Sequence, residues 1–346
     1  MGKEHNIAIV NSSTFGVRHN DLLNKLESLG RVKRFEFEPD ISGRELASGL
    51  DGEDFVIASV TPDFSEGFFY KNDDVKLITR HGIGYDNVDI EAATRAGVPV
   101  TRVRGDHERN GVAELAIGLA FDCLRQIGQA SEAVEDGRWD ERREYVGREI
   151  SRAKVGLIGY GNIGSRVAEI LRGGFQAEVM AYDPNVAGAV IEKNSVKPVN
   201  LEELLRTADL ISLNASLNES SRQMIGRKEF EIMKDEVVII NTARGQLIDE
   251  RALARALDLG QVRAVGLDVT NSEPIEPDNP LLGRDNVVIV PHIGGYSDYS
   301  LRKMDEKMVK DIEAALSGRV PELVVNSGVF RKSNRLGIKD GLSSGC

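Results

Sequence analysis

A short apolar run that leads directly into a glycine-rich turn constrains the fold of this chain more than any other feature. Residues 154–158 have the composition of a buried parallel strand, and a helical repeat of apolar side chains follows the turn. In such a strand–turn–helix unit the first glycine permits a tight turn, the second lets a pyrophosphate approach the backbone, and the third allows close packing. Free N–H groups at the helix start attract phosphate, so the sequence predicts a dinucleotide site. The turn consists of Gly159, Tyr160, Gly161, Asn162, Ile163 and Gly164.

A carboxylate at the end of the next predicted strand narrows the choice of dinucleotide. Strand 178–182 ends at Asp183, which lies 19 residues after Gly164. A carboxylate at this position accepts hydrogen bonds from both ribose hydroxyls and repels a 2′-phosphate. We therefore expect NAD rather than NADP as the cofactor.

A second Gly-x-Gly pattern, at residues 82–84, lacks the features of a dinucleotide site. Its sixth position is Asn87 rather than glycine, and no acidic strand end follows at the required distance. We interpret it as a loop that offers backbone N–H groups to an anion.

Composition excludes several classes of protein. At 346 residues the chain is long enough for two domains, and its net charge of −11 argues against a nucleic-acid partner. The longest apolar run, residues 115–121, is too short to cross a bilayer, and the N-terminus lacks the pattern of a signal peptide. Two cysteines give no disulfide framework. We predict a cytoplasmic protein with no membrane partner and no metal site.

Alternating apolar strands and helical repeats predict an α/β fold with two doubly wound parallel-sheet domains. Residues 1–103, completed by 297–330, form one predicted domain, and residues 104–296 form the other. One long helix, 106–136, is expected to connect them, a last helix, 301–316, to return to the first domain, and residues 331–346 to form a mobile or partner-bound tail. The predicted strands are 7–10, 32–37, 55–60, 76–79 and 98–101, then six in the second domain, 155–158, 178–182, 210–213, 237–240, 264–267 and 287–290.

Three polar side chains follow strands of the second predicted domain. Arg244, Glu273 and His292 come after strands 237–240, 264–267 and 287–290. Taken singly they have structural interpretations, as a surface ion pair, a turn residue and a structural histidine. Ligands of open α/β sheets bind at the carboxyl ends of strands, so we expect the three side chains at one rim. An arginine can bind a carboxylate, a histidine can pass a proton, and a glutamate can orient the imidazole, which together predict a hydride-transfer site.

At these residues the chain resembles the D-isomer-specific 2-hydroxyacid dehydrogenases, over about residues 50 to 326. Several blocks agree with the family in the same order along the chain, which makes the resemblance specific. These blocks are the Gly-x-Gly-Tyr-Asp-Asn-Val-Asp loop at 82–89, then 110–114, 137–139, 159–164, Asn-Thr-Ala-Arg-Gly at 241–245, 267–269 with Glu273-Pro274, and Pro-His-Ile at 291–293.

The resemblance implies a Rossmann-type NAD domain, a flavodoxin-like substrate domain and a homodimer formed through the NAD domain. It implies that His292 is the acid/base, that Glu273 is its partner, and that Arg244 binds and polarises the substrate. The backbone of Ile83 and Gly84 would receive the substrate carboxylate. Around the cofactor the resemblance places Asp183 at the adenosine ribose, Asp268 near the nicotinamide carboxamide, and also Asn214, Thr242, Ala243, Arg244, His292 and Gly294.

Two places in the chain qualify the resemblance. The family often has His-x-Pro-Leu-Thr where residues 214–218 read Asn-Ala-Ser-Leu-Asn, a change that we expect to loosen contact with adenosine. Arg80 and His81 precede the carboxylate loop and would favour a larger or doubly anionic substrate, unless Arg80 faces solvent.

The predicted function is reversible hydride transfer between NADH and a small 2-oxo acid, which forms a D-2-hydroxy acid. Two alternatives stay open. One is a phosphoglycerate dehydrogenase of the same family, which would act on a phosphorylated hydroxy acid. The other is a non-catalytic NAD(H)-sensing protein, similar to a corepressor, which would bind NADH without turnover.

Overall fold

The computed structural model describes residues 5–331 and 333–338 of the chain. It divides the chain into two compact units. Unit 1 comprises Met1–Glu108 and Tyr296–Cys346, and unit 2 comprises Arg109–Gly295. The divisions therefore fall after residues 108 and 295, compared with the predicted divisions after 103 and 296.

The first part of unit 1 builds a five-stranded parallel sheet in the order β2-β1-β3-β4-β5. Alternate side chains of its strands enter two separate apolar clusters, for example Ala8 and Val10 on one face and Ile7 and Ile9 on the other. Burial on both faces explains why the inner strands 6–10 and 55–58 are apolar runs, whereas the edge strand 31–35 is partly exposed and carries three basic residues. The strands are β1 Asn6–Val10, β2 Arg31–Phe35, β3 Phe55–Ala58, β4 Leu77–Arg80 and β5 Val100–Thr101, with helices α1 Asn20–Glu27, α2 Gly43–Gly49, α3 Glu66–Lys71 and α4 Ile90–Arg95.

Unit 2 begins with two helices where the sequence predicted one. The predicted helix 106–136 is interrupted at Gln126, whose φ of 54° lies in the left-handed region. The backbone therefore leaves α-helical geometry at this residue, and a second helix starts immediately after it. The two helices are α5 Arg109–Arg125 and α6 Ile127–Glu135.

The sheet of unit 2 has seven parallel strands in the order β12-β11-β10-β9-β6-β7-β8. The strand order reverses at β6, which lies between β7 and β9, and such a switch point is where open α/β sheets bind ligands. We predicted six strands and missed β8, a two-residue edge strand without an apolar run. The strands are β6 Lys154–Ile158, β7 Glu178–Tyr182, β8 Lys197–Pro198, β9 Leu210–Leu213, β10 Val237–Asn241, β11 Val262–Leu267 and β12 Val287–Ile289, and the helices are α7 Asn162–Phe175, α8 Gly188–Glu192, α9 Leu201–Thr207, α10 Arg227–Ile232 and α11 Glu250–Asp258.

The last helix, α12 Asp298–Leu316, belongs to unit 1. Its apolar side chains, including Met304 and Met308, pack against Ile7 and Phe55 of the five-stranded sheet. The chain thus returns to unit 1 with this helix, and the fold consists of two doubly wound parallel-sheet units.

The prediction of a mobile or partner-bound tail is wrong for residues 333–338, which pack against the rest of unit 1. Arg335 donates its Nε to the carbonyl of Ala96 at 3.0 Å and its Nη1 to the carbonyl of Val75 at 3.0 Å, and its own N–H bonds to Gly97 O. A polar composition could not show that a distant part of unit 1 presents these carbonyl groups. Residues 339–346, also part of the predicted tail, lie outside the described residues.

Within residues 5–331 and 333–338, no helix is both long enough and apolar enough to cross a membrane. The cytoplasmic location stays a prediction from composition.

Candidate active site

The glycine turn of unit 2 combines two tightly packed glycines with one that is open. Gly159 has a φ of 95°, and a Cβ at this residue would lie 2.7 Å from the backbone of Asn214. A Cβ on Gly164 would lie 2.2 Å from the carbonyl oxygen of Gly159, whereas one on Gly161 would meet no atom within 4 Å. The outer glycines are therefore required by packing, and the middle one leaves the backbone accessible to a ligand. Helix α7 begins directly after it, at Asn162, so that its first amides lack intrahelical partners.

Asp183 lies at the end of β7, next to this turn. Its Oδ2 accepts a hydrogen bond from the N–H of Tyr160 at 2.8 Å, and its Oδ1 accepts one from the N–H of Asn185 at 2.8 Å. Each carboxylate oxygen can accept more than one hydrogen bond, so both can also accept from ribose hydroxyls. The backbone contacts hold the carboxylate beside the glycine turn, where the sequence predicted it.

Two buried polar atoms at neighbouring strand ends lack a hydrogen-bond partner among the described residues. Asn214 Oδ1, after β9, and Thr242 Oγ1, after β10, are buried and make no hydrogen bond within the part of the chain that the structure describes. Buried polar atoms in native proteins nearly always have a partner. Both atoms lie at the carboxyl edge that carries the glycine turn. A dinucleotide along this edge would supply the missing hydrogen bonds, so these residues fit the expected cofactor.

His292 and Glu273 form a close pair at the same edge. His292 Nδ1 donates to Glu273 Oε2 at 2.6 Å, and Glu273 Oε1 accepts from the N–H of Thr270 at 3.2 Å. The glutamate is thus fixed by the backbone and in turn fixes the imidazole ring. Since Nδ1 is bonded to the carboxylate, Nε2 is the ring nitrogen available for proton transfer.

Asp268 holds the backbone turn that carries His292. Its side chain is 2% exposed, and its two oxygens accept from the N–H groups of Ile293 at 2.6 Å and Gly294 at 2.8 Å. Its carbonyl accepts from the N–H of His292, whose φ of 52° is left-handed. Burial raises the pKa of the Asp268 carboxyl above its usual value, against the opposing effect of these N–H donors. Asp268 therefore positions His292, a role that the sequence did not reveal because the bonds join different loops.

Arg244 lies in the loop that follows β10. The loop is closed by hydrogen bonds from Asn241 Nδ2 to the carbonyl of Arg244 at 2.9 Å and from the N–H of Ala243 to Asn241 Oδ1 at 3.0 Å. A Cβ on Gly245 would lie 2.0 Å from the backbone of Thr270, so this loop packs against the one that leads to Glu273. The structure thus brings Arg244, Glu273 and His292 to one edge of the sheet, on the loops after β10, β11 and β12.

In unit 1 the predicted carboxylate loop follows β4. Ile83 and Gly84 are half-buried, and no partner for their backbone N–H groups is found in the described part of the chain. Arg80 is 3% exposed, and its side chain donates to Asn87 Oδ1 and to the carbonyl of Ala58, both at 3.3 Å. The interpretation in which Arg80 faces solvent is therefore wrong. Two unbonded amides in succession make this loop suited to an anion.

The position of Asp183 predicts the effect of its removal on cofactor choice. Asp183→Ser is expected to weaken NADH binding by about tenfold or more, because hydrogen bonds to a charged acceptor are lost. NADPH binding should improve because the repulsion of its 2′-phosphate disappears. Titration of reduced nicotinamide fluorescence measures both constants. Glu178→Ala, at the opposite end of β7, is the control, and an unchanged preference in the Asp183 variant would contradict the assignment.

Comparisons with known proteins identify the family of this chain. Residues 117–294 match the family model of the D-isomer specific 2-hydroxyacid dehydrogenase, NAD binding domain. The chain is 39% identical to the hydroxypyruvate reductase of Thermotoga maritima, over 86% of this chain and 97% of that protein.

It is also 35% identical to the D-3-phosphoglycerate dehydrogenase of Methanocaldococcus jannaschii, over 89% of this chain but only 58% of that protein. The chain therefore spans little more than half the length of this relative. The crystal structure of D-lactate dehydrogenase from Aquifex aeolicus, complexed with NAD and lactic acid, has a TM-score of 0.80 at 27% identity, covering 94% of this chain and 98% of that one. This chain belongs to the D-isomer-specific 2-hydroxyacid dehydrogenase family, and NAD is its cofactor.

Proposed function

We propose that this protein catalyses reversible hydride transfer between NADH and a small 2-oxo acid, which gives a D-2-hydroxy acid. The observation that carries the proposal is the pair of His292 and Glu273, 2.6 Å apart, on the edge of the sheet that also carries the glycine turn. A proton donor is needed at the keto oxygen when a hydride adds to the neighbouring carbon. An oriented histidine beside a nicotinamide site meets this need.

The residues of unit 2 have separate roles in the proposed reaction. Bound NADH supplies the hydride, or NAD accepts it in the reverse direction. His292 Nε2 donates a hydrogen bond to the keto oxygen and delivers its proton there, while Glu273 stabilises the imidazolium form. Asp268 keeps the backbone of His292 in place. The Arg244 guanidinium binds the carboxylate and polarises the keto group.

For unit 1 we propose that the amides of Ile83 and Gly84 bind the carboxylate of the substrate. This role follows from the resemblance of the loop to its family and is supported by the absence of partners for both N–H groups in the described residues. Because backbone amides would contact only the carboxylate, this loop would restrict the rest of the substrate little.

A phosphorylated substrate is the second candidate, because the relative from M. jannaschii is named D-3-phosphoglycerate dehydrogenase. Such a substrate needs cations that are presented to its phosphate. The guanidinium of Arg80, which precedes the anion loop, is buried and bonded to Asn87 and Ala58. The expectation that Arg80 favours a doubly anionic substrate required a guanidinium that can reach the substrate, whereas this one is bonded within unit 1. Its placement therefore supports an unphosphorylated acid.

A panel of 2-oxo acids distinguishes the candidates. We expect absorbance at the reduced nicotinamide band to fall with NADH and at least one of glyoxylate, pyruvate, phenylpyruvate, hydroxypyruvate and 2-ketogluconate. NADPH should support slower turnover because of Asp183. Turnover of phosphohydroxypyruvate alone would favour the second candidate. Tight NADH binding without any turnover would instead identify a sensing protein and refute the proposed reaction.

The acid/base role of His292 predicts a selective loss of turnover. His292→Ala is expected to lower kcat by about 10²–10⁴-fold, the usual loss on removal of a well-placed acid/base group. NADH binding should persist because the glycine turn and Asp183 are untouched. Steady-state kinetics and fluorescence titration provide the two readouts. Glu273→Gln keeps a polar partner for the ring and should lose less, while normal turnover in His292→Ala would refute the role.

We further propose that the protein is a homodimer formed through unit 2. Four large apolar side chains are more than half exposed within residues 127–146 of this unit: Ile127, Val134, Trp139 and Val146. Apolar side chains concentrated on one exposed segment are typical of protein interfaces. A second copy of the chain would cover them.

If these side chains form the dimer interface, a charged residue placed among them should reduce the mass of the particle in solution. Trp139→Arg is expected to convert a dimer into a monomer, because a buried unpaired cation destabilises the interface. Light scattering after size-exclusion chromatography measures the mass. Leu259→Arg, at another exposed apolar residue of unit 2, is the matched control and should remain dimeric. A monomeric wild-type protein would contradict the proposal.

A further inference from the structure

Helix α12 carries two carboxylates that are buried in unit 1. Asp305 is 0% exposed and Asp311 is 1% exposed. Asp311 accepts hydrogen bonds from the hydroxyls of Thr79 and Thr101 and pairs with Lys307, so it is stabilised within the sheet core. Asp305 has a different set of partners, which come from loops rather than from strand interiors.

Three donors from two loops of unit 1 converge on Asp305. His19 Nδ1 donates to its Oδ2 at 3.0 Å, and the N–H of Gly16 donates to the same oxygen at 3.1 Å. His81 Nε2 donates to Oδ1 at 2.8 Å. Both histidines are nearly buried, and hydrogen bonds to a carboxylate in such surroundings are strong and directional.

His81 directly precedes residues 82–89, the predicted carboxylate loop, which is called the anion loop here. Its N–H donates to the carbonyl of Ala58 at 2.9 Å, and its ring packs edge-on against Phe15, with centroids 5.7 Å apart. Backbone and side chain of His81 are therefore both held. Asp305 provides the bond that ties this residue to α12.

The far end of the anion loop is held by Asn87, whose side chain donates to the carbonyls of Ser59 and Pro62, both at 3.1 Å. Its start is held through Gly82. Gly82 donates to the carbonyl of Arg80 at 2.8 Å and accepts from the N–H of Val103 at 3.1 Å. The next two amides, of Ile83 and Gly84, find no partner among the residues that the structure describes. Because these amides must stay unbonded to receive an anion, their direction depends on the residues on either side, and His81 is the one that is bonded to α12.

We propose that Asp305, through His81 and with His19 as its second anchor, positions the amides of Ile83 and Gly84 for the substrate carboxylate. This inference rests on the proposed function of that loop. Asp305 and His81 are positioning residues, since neither is proposed to touch the substrate. Asp298 Oδ1 lies 3.9 Å from His19 Nε2, so His19 lies between the carboxylates of Asp298 and Asp305.

The pair of carboxylates on α12 provides a matched experiment. Asp305→Asn is expected to raise KM for the 2-oxo acid by about tenfold, which corresponds to one lost charge-assisted hydrogen bond, while NADH affinity stays within about twofold. Asp311→Asn removes an equally buried charge from the same helix. It should lower the thermal midpoint but leave KM unchanged. Equal increases of KM in both variants would mean a purely structural role and overturn the proposal.

Substitution of His81 tests the same bond from its other end. His81→Leu should raise KM as Asp305→Asn does, because the donor is lost. His81→Gln retains an N–H donor near Asp305 and should recover most of the affinity. Wild-type KM in His81→Leu would overturn the proposal, and this pair decides the matter if Asp305→Asn does not fold.

Amide hydrogen exchange separates this inference from the proposed reaction, since it needs no turnover. In Asp305→Asn, the amides of Gly82 and Val103 should exchange at least about tenfold faster, whereas in Asp311→Asn they should match the wild type. If the wild-type protein reduces no 2-oxo acid, the proposed function fails, but the exchange result still tests the anchor. Unchanged exchange at both amides in Asp305→Asn would overturn it.

Discussion

The common direction of the strands is the constraint on which the candidate site depends. All seven strands of unit 2 run parallel, so the segments that follow β6, β9, β10, β11 and β12 emerge at one edge. The glycine turn, Asn214, Thr242, Asp268 and His292 lie on these segments. One reversed strand would carry its polar residue to the opposite edge. The chemistry is therefore a consequence of the sheet as much as of the residues.

Buried carboxylates hold the functional loops in both units. Asp268 binds two successive amides and fixes the turn of His292, and Asp305 binds two histidines and anchors the loop of Ile83. A carboxylate in the protein interior is stable only when donors surround it. This requirement makes such a group a strong constraint on the loops that supply the donors.

Much of the fold followed from apolar patterning, and the exceptions have identifiable causes. Apart from β8, which was missed, the strands of both sheets lie within a few residues of their predicted bounds, because most of them are buried apolar runs. The break at Gln126 was missed because the helical spacing of apolar residues continues across it, although the backbone leaves helical geometry there. Residues 333–338 were misjudged because the carbonyls that bind Arg335 belong to a distant segment. Of the candidate site, Glu273 was predicted as the partner of His292, but the hydrogen bonds by which Asp268 holds the turn of His292 and Asp305 holds His81 were not.

The sequence alone determined the nucleotide turn, the carboxylate of Asp183 and the identity of the residues proposed for catalysis. These depend on local spacing, in which a strand, a turn and a helix follow one another within about thirty residues. Tertiary structure decided which buried carboxylates hold the loops of the candidate site. Asp268 reaches Ile293 across 25 residues of chain, and Asp305 reaches His81 across 224. Bonds between such separated residues leave no periodic signal, because only the folded sheets bring their partners within hydrogen-bonding distance.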